Sequence, residues 1–214
     1  MGKKAVIFDM DGVLIDSERW YFSVKKEMFK SEGIRPEHFT LAETAGLPEN
    51  DGWALLFPDS KIEQTKYKEM FRKALFSSGI RFEEILNEGV AETLNWLHRT
   101  GYKVGLASAG PSAFLDAFIS TCQFESYFDE VVSGESITRN KPDPMIYQQM
   151  LWRLSLSPSE CVAIEDSRVG ILAATAAKIN TWALKPQGYK LDQNNADRII
   201  DKVSDIKLIL KSLE

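Results

Sequence analysis

The sequence has few of the side chains that build thiol or imidazole sites. Its 214 residues include two cysteines, Cys122 and Cys161, which lie far apart and form no CxxC pair. This spacing argues against a zinc ribbon, a thioredoxin-type site and a disulfide framework, and predicts two buried or half-buried thiols. The two histidines, His38 and His98, lie in charged, helix-like stretches and are expected to face solvent. A histidine-based triad and a histidine-rich metal site are therefore disfavoured.

Long runs of one residue class are also missing. The formal net charge is −5, and positive charge forms nothing longer than short pairs such as Lys25-Lys26, which argues against a nucleic-acid surface. No apolar stretch reaches the length that crosses a bilayer, and the apolar run at 5–8 is too short for a signal peptide. We expect a cytoplasmic protein, monomeric or weakly homo-oligomeric, whose partner is a small molecule rather than nucleic acid or membrane.

The composition is that of an ordinary globular protein. Apolar residues make up 44% of the chain and charged residues 27%, which excludes wholesale disorder and a fibrous class. A chain of 214 residues can bury a sizeable core and still carry an inserted subdomain.

Short apolar runs alternate with helical patterns along most of the chain. Strand-like runs occur at 4–8, 103–107, 130–133, 161–164 and 180–184. Helical patterns occur at 89–100, at 112–121 after Gly110-Pro111, after Asp143-Pro144, in the small-residue stretch 170–178 and from Ser204. This alternation predicts an α/β fold with a parallel sheet whose central strands are covered by helices on both faces.

The region between about Ser17 and Leu86 has a different pattern. Strand-like runs disappear there, and helical periods take over, as in RWYFSVKKEMF and KIEQTKYKEMFRKALF. The sequence therefore predicts a sheet-containing core of 1–16 and 87–214 and an α-helical cap of 17–86, inserted over the carboxyl end of the first strand.

Polar side chains cluster where the predicted strands end. Ligands of an open parallel sheet bind beyond the carboxyl ends of its strands, and these ends carry Asp9, Asp11, Ser108, Glu165 and Asp166, with Lys141 before a helix. Four carboxylates in one crevice repel one another unless a cation is present. Because no histidine or thiolate accompanies Asp9, Asp11, Glu165 and Asp166, we expect Mg²⁺ as the cofactor.

These residue types fit phosphoryl transfer. Asp9 is placed to act as a covalent nucleophile that forms an aspartyl-phosphate. Asp11, beside Gly12, is placed to donate a proton to the leaving oxygen and later to accept one from water. Ser108 and Ala109 precede a helix whose first amides bind anions, and Lys141 supplies positive charge to the phosphoryl oxygens.

Four sequence segments, in order, resemble the haloacid dehalogenase-like hydrolase superfamily. They are FDMDGVLIDSE, the serine of LASAG, the lysine of KPDP, and IEDSRVG. The resemblance covers nearly the whole chain and implies a Rossmann-like core, magnesium and an aspartyl-phosphate intermediate. It also implies that Asp11 ligates the metal through its backbone carbonyl, that Asp166 is a direct ligand, and that Glu165 acts directly or through water. Ser108 and Ala109 resemble the phosphate-binding segment, and Lys141 resembles its basic partner.

Several activities occur within such a superfamily. A halide-removing enzyme lacks the second aspartate, which is present here as Asp11, and no cap lysine stands in a setting that suggests a phosphonate hydrolase. FDMDGVLIDSE, the predicted helical cap and the run LASAGPSAFLDAF resemble the β-phosphoglucomutase-like branch. The mutase itself is disfavoured because no histidine follows Asp16 and because TAGLPEND lacks an arginine-bearing loop.

The favoured function is hydrolysis of a small phosphorylated metabolite, such as a sugar phosphate. The runner-up is a phosphosugar mutase. A third reading, from another class, is an inactive binding or regulatory protein, for which the retained aspartates, serine and lysine give no support.

Overall fold

The computed structural model describes residues 2–47, 49–77 and 79–213. Four residues of the predicted domain ranges, Met1, Pro48, Ser78 and Glu214, lie outside this description. The described chain divides into two compact units. One comprises Met1–Ile15, Phe82–Pro186 and Leu191–Glu214, and the other comprises Asp16–Arg81 and Gln187–Lys190.

The first unit is built on a parallel sheet of six strands in the order β3-β2-β1-β4-β5-β6. The strands are β1 Ala5–Phe8, β2 Lys103–Ser108, β3 Glu130–Ser133, β4 Cys161–Glu165, β5 Asn180–Leu184 and β6 Arg198–Ile200. The five predicted strands are confirmed, and β2 and β4 extend one residue further to end on the predicted site residues Ser108 and Glu165. The sequence missed β6, because an edge strand of three residues with two exposed side chains leaves no apolar run.

Helices cover both faces of this sheet. Ala5 and Ile7 of β1 pack in one cluster with residues of the two helices that precede and follow β4. Val6 and Phe8 point to the opposite face and are equally buried. The helices of this unit are α5 Phe82–Ile85, α6 Val90–Arg99, α7 Ser112–Thr121, α8 Met145–Leu154, α9 Arg168–Ala176 and α10 Asp205–Ser212. The predicted α/β class is confirmed.

The second unit is helical. It contains α1 Ser17–Ser31, α2 Leu41–Thr44, α3 Glu49–Leu56 and α4 Lys61–Ser77. Its own core is aromatic: Phe29 lies edge-on to Phe39, Trp53 and Tyr67, with ring centroids 4.9–6.4 Å apart. Asp16 caps α1 by accepting a hydrogen bond from the Arg19 N–H.

The boundary between the two units differs from the predicted residue 86. Ile15 forms an antiparallel bridge with Leu86, and the Asn87 N–H donates to Leu14 O at 2.9 Å. Phe82 packs on Phe118 of α7. The residues from Phe82 onward therefore belong with the sheet, because the two chain ends of the insertion are joined there by backbone hydrogen bonds.

The cysteine and histidine side chains have the burial that the sequence predicts. Cys161 is buried and Cys122 is half-buried, and both His38 and His98 are exposed. Within the described ranges no helix combines the length and the apolar character required to span a membrane.

Candidate active site

The candidate site begins where β1 and β4 end side by side. Asp9 directly follows β1, and its N–H donates to Ile164 O at 2.9 Å. The ladder pairs Phe8 with Ile164, so Asp9 comes level with Glu165. Parallel pairing therefore brings these two carboxylates together although 155 residues separate them in the chain.

Lys141 bridges these strand ends. Its Nζ donates to Asp9 Oδ1 at 2.5 Å, to Glu165 Oε1 at 2.7 Å and to Ala107 O at 3.1 Å. The lysine side chain is only 7% exposed. Burial alone would lower the pKa of Lys141, but Asp9 and Glu165 outweigh it and hold that pKa above its usual value. Lys141 thus carries a positive charge between two carboxylates.

Three buried carboxylates are close enough to share a metal ion. Asp9, Glu165 and Asp166 each offer an oxygen, and the three oxygens lie within 4.8 Å of one another. Glu165 Oε2 is buried and has no hydrogen-bond partner among the described residues. Burial, followed by the charge of Asp9, raises the pKa of Glu165 to about 7, against the opposing effect of Lys141. One lysine does not balance three acids, so the cluster suits a hard divalent cation with oxygen ligands.

Two glycines make room for these carboxylates. Gly12 has a φ of 73°, and a Cβ there would collide with Asp166 Oδ2. A Cβ at Gly170, in the first turn of α9, would collide with the carboxylate of Glu165. Both positions therefore require glycine for close approach, and Gly12 requires it for its backbone conformation as well.

Asp11 lies in the turn that follows β1 and is half-buried. The turn is fixed by the Gly12 N–H, which donates to Ile15 O at 2.8 Å, and by Asn87 Nδ2, which donates to Val13 O at 2.9 Å. The Asp11 carboxylate is not a member of the three-oxygen cluster. Its acid/base role and its metal contact through the backbone carbonyl stay predictions.

The predicted phosphate-binding segment is held rigidly. Ser108 ends β2, is fully buried, and accepts the Gly110 N–H with its Oγ at 3.1 Å. Ser133 Oγ donates to Gly110 O at 2.7 Å, and Glu135 Oε2 accepts the Ser112 N–H at 2.9 Å. The Ser112 amide, one of the helix amides that the sequence assigned to an anion site, therefore already has a partner within the protein. The exposed Ala109 and the Ser108 end of β2 stay the predicted phosphate contacts.

The sequence reasoning missed Tyr147. Its hydroxyl donates to Glu165 Oε1 at 2.5 Å from the buried face of α8. Burial and the neighbouring Glu165 raise the pKa of Tyr147 well above its usual value, so the phenol keeps its proton. The helical spacing of Tyr147, Met150 and Leu154 was a usable signal, because a tyrosine on a core-facing stripe needs a polar partner.

The structure thus brings four predicted residues into direct proximity: Asp9, Lys141, Glu165 and Asp166. Ser108 is adjacent to this group in sequence: the carbonyl of the preceding residue, Ala107, accepts a hydrogen bond from Lys141. Gln193, also missed, donates from Nε2 to Asp166 O at 2.7 Å and to Leu184 O at 2.8 Å. Gln193 therefore links the end of β5 to the backbone of Asp166, one of the three clustered carboxylate residues.

A model of one protein family matches most of this chain. The family is described as haloacid dehalogenase-like hydrolase, and the match covers residues 6–184. The chain belongs to this family. The matched range contains every predicted site residue, from Asp9 to Asp166, and the resemblance inferred from the sequence motifs is confirmed.

Curated relatives of the chain include phosphatases. The chain is 35% identical over 179 residues to a phosphorylated carbohydrates phosphatase of Thermotoga maritima, covering 82% of each chain. It is 31% identical over 180 residues to hexitol phosphatase B of Escherichia coli K12, covering 83% of this chain and 81% of the relative.

A solved structure is similar over nearly its full length. It is a putative β-phosphoglucomutase from Thermotoga maritima, with 30% identity, a TM-score of 0.77, and coverage of 99% of this chain and 100% of that one. The predicted β-phosphoglucomutase-like branch of the family is thereby confirmed.

Proposed function

We propose that this protein is a magnesium-dependent phosphatase that hydrolyses a small phosphorylated metabolite, with sugar phosphates as the substrate class, through a phosphorylated Asp9. One observation carries the proposal: Asp9 lies at a strand end, bound to the buried Lys141 ammonium and within reach of Glu165 and Asp166. The two phosphatases reported above support both the reaction type and the carbohydrate class.

In the first step, a carboxylate oxygen of Asp9 attacks the phosphorus atom and the bond to the leaving oxygen breaks. Asp11 donates a proton to that oxygen, so the product leaves as an alcohol. In the second step, water attacks the phosphoaspartate while the Asp11 carboxylate accepts its proton. Inorganic phosphate is released, and Asp9 and Asp11 return to their starting states.

The residues around Asp9 stabilise the charge that the reaction moves. Lys141 donates a hydrogen bond to Asp9 Oδ1, and its positive charge offsets the negative charge of the phosphoryl group during transfer. Ser108 and the backbone of Ala109 are the proposed donors to its oxygens, on a loop fixed by Ser133 and Glu135. Hydrogen bonds within the protein already hold Lys141 and Ser108 in place.

A bound Mg²⁺ would be held by Asp9, Asp166 and the Asp11 carbonyl, with Glu165 directly or through water, and would neutralise charge between carboxylates and phosphate. The donor set fits that ion, because every side-chain ligand is a carboxylate and Glu165 Oε2 is buried without a partner among the described residues.

A phosphosugar mutase is the second candidate, favoured by the similarity to the putative β-phosphoglucomutase structure. The chain has Ser17, Glu18 and Arg19 after Asp16, without the histidine expected of the mutase. In this structure Arg19 is engaged with Asp16, its Nε lying 2.9 Å from Oδ2.

A screen of phosphorylated metabolites with and without Mg²⁺ tests the proposal. Phosphate release is measured in parallel with isomer formation from β-glucose 1-phosphate plus its bisphosphate activator. We expect Mg²⁺-dependent phosphate release from sugar phosphates and its loss in Asp9→Asn. Isomer formation without net phosphate release would favour the mutase, and metal-dependent turnover by Asp9→Asn would exclude a covalent role for Asp9.

A further inference from the structure

Tyr147 occupies an unusual place for a core aromatic residue. Its ring is fully buried in the cluster beneath the sheet, among Ile146, Met150 and Ala163. Its hydroxyl, however, leaves that cluster and donates to Glu165 Oε1 at 2.5 Å. A buried phenol requires an acceptor, and here the acceptor belongs to the proposed metal site.

The two carboxylate oxygens of Glu165 differ in their hydrogen bonding. Oε1 accepts from both Tyr147 and Lys141, at 2.5 and 2.7 Å, while Oε2 is buried with no partner among the described residues. These two hydrogen bonds engage Oε1 within the protein. The remaining lone pairs of Oε2 are the ones left to face a cation or its water.

The carboxylate also has little room to turn. The backbone of Gly170 lies against it so closely that a Cβ would overlap both oxygens. The centroid of the Tyr147 ring also lies 5.3 Å from Lys141 Nζ, within range of a cation–π contact. One tyrosine therefore touches both the metal-facing acid and the lysine that bridges to Asp9.

We propose that Tyr147 is a positioning residue for the metal site: it fixes Glu165 so that Oε2, and not Oε1, is presented to the divalent cation. The inference deepens the proposed function and rests on it for the identity of the ion. Residues behind a metal ligand orient it, and losing one typically costs roughly 10- to 100-fold in metal affinity or activity.

Tyr147→Phe tests this, because it removes the hydroxyl and keeps the ring. Mg²⁺ affinity is measured without substrate, by calorimetry and by the Mg²⁺-dependent rise in melting temperature. We expect the dissociation constant for Mg²⁺ to increase about tenfold. With substrate present, the same variant should need about tenfold more Mg²⁺ for half-maximal rate, while KM for the phosphorylated substrate at saturating Mg²⁺ stays within twofold.

Tyr127→Phe is the matched control. Tyr127 is a half-buried tyrosine of the same unit whose ring contacts are His98 and Phe124, away from the carboxylates. The Tyr127→Phe protein should have the same dissociation constant for Mg²⁺ as the wild type. A Tyr147→Phe protein whose Mg²⁺ affinity also stays within twofold of wild type would overturn the positioning role and leave Tyr147 as a packing residue.

A double variant shows whether the hydroxyl acts through Glu165. If it does, adding Tyr147→Phe to Glu165→Gln changes Mg²⁺ affinity by less than twofold, whereas a further tenfold loss would contradict the inference. The substrate-free measurement also separates two failures. A wild type that binds Mg²⁺ but releases no phosphate would refute the proposed function alone, and a wild type that binds no Mg²⁺ would refute both.

Discussion

Lys141 Nζ lies 2.5 Å from Asp9 Oδ1, so the proposed nucleophile and the positive charge beside it form one buried ion pair. The same nitrogen reaches Glu165. A buried charge that loses its partner is costly, whereas an exposed one is not. The role of Lys141 can therefore be tested by the free energy of unfolding as well as by enzymatic activity.

Lys141→Met is expected to abolish most activity and to destabilise the protein. It leaves Asp9 and Glu165 buried and uncompensated, at a cost of about 3–5 kcal/mol in the free energy of unfolding, and it removes a transition-state donor worth about 100-fold in rate. Urea unfolding with and without Mg²⁺ should show that the cation restores part of the lost stability.

Lys185→Met is the control for that experiment. Lys185 forms an exposed pair with Asp201 at 3.6 Å, and its loss should change stability by less than about 1 kcal/mol. Equal stability losses in the two variants would show that Lys141 is not specially placed.

Gly170→Ala and Gly52→Ala should have effects of opposite sign. At Gly170 the new methyl group meets the Glu165 carboxylate, so we expect a loss of about 1–3 kcal/mol and weaker Mg²⁺ binding. Gly52 lies inside α3 with only Leu47 Cβ near, at 4.0 Å. Alanine there should stabilise the helical unit by about 0.5–1 kcal/mol. Thermal unfolding of both variants settles the comparison, and a destabilised Gly52→Ala would contradict it.

Glu135→Ala should weaken substrate binding. The Glu135 carboxylate accepts the Ser112 N–H at the start of α7 and so fixes the loop that begins at Ser108. We expect KM for the phosphorylated substrate to rise by about fivefold, as the loss of one such hydrogen bond costs about 1 kcal/mol. Glu125→Ala, at an exposed position, serves as control. An unchanged KM in Glu135→Ala would mean that the loop holds its shape without this contact.

The two thiols should react slowly with iodoacetamide near neutral pH. Burial raises the pKa of Cys122 and of Cys161 to about 11. At pH 8 only about one thiol in a thousand is then the reactive thiolate. Alkylation followed by mass spectrometry should accelerate about tenfold per pH unit up to pH 10. The same protein in guanidinium chloride should react rapidly at pH 8, and equally rapid reaction of the folded protein would refute the prediction.

The sequence predicted the central strands because each is a short apolar run buried on both faces, and it predicted Asp9, Ser108 and Glu165 because they lie where those runs end. Parallel pairing then made their meeting foreseeable. Lys141 lies in a loop without a periodic signal, so it was predicted from its place before a helix, from the need for positive charge at a phosphoryl group and from the KPDP motif.

Other features depend on tertiary geometry. The Tyr147 hydroxyl finds Glu165 only once α8 is docked on the sheet, and Glu135 reaches Ser112 across the ends of β2 and β3. Their distance along the chain gave no hint of either contact. The edge strand β6 was missed because its order comes from pairing with β5 rather than from an apolar pattern.

The distance in sequence between the site residues has a consequence for biosynthesis. Asp9 and Lys141 are 132 residues apart, and Glu165 enters the sheet only through the strand that follows Lys141. When Lys141 has just left the ribosome, β4 has not yet emerged from it. The emerged chain then lacks both Glu165 and the Ile164 carbonyl that binds the Asp9 N–H. In vectorial folding the proposed reaction centre therefore cannot assemble before β4 has left the ribosome, although Asp9 is synthesised well before that strand.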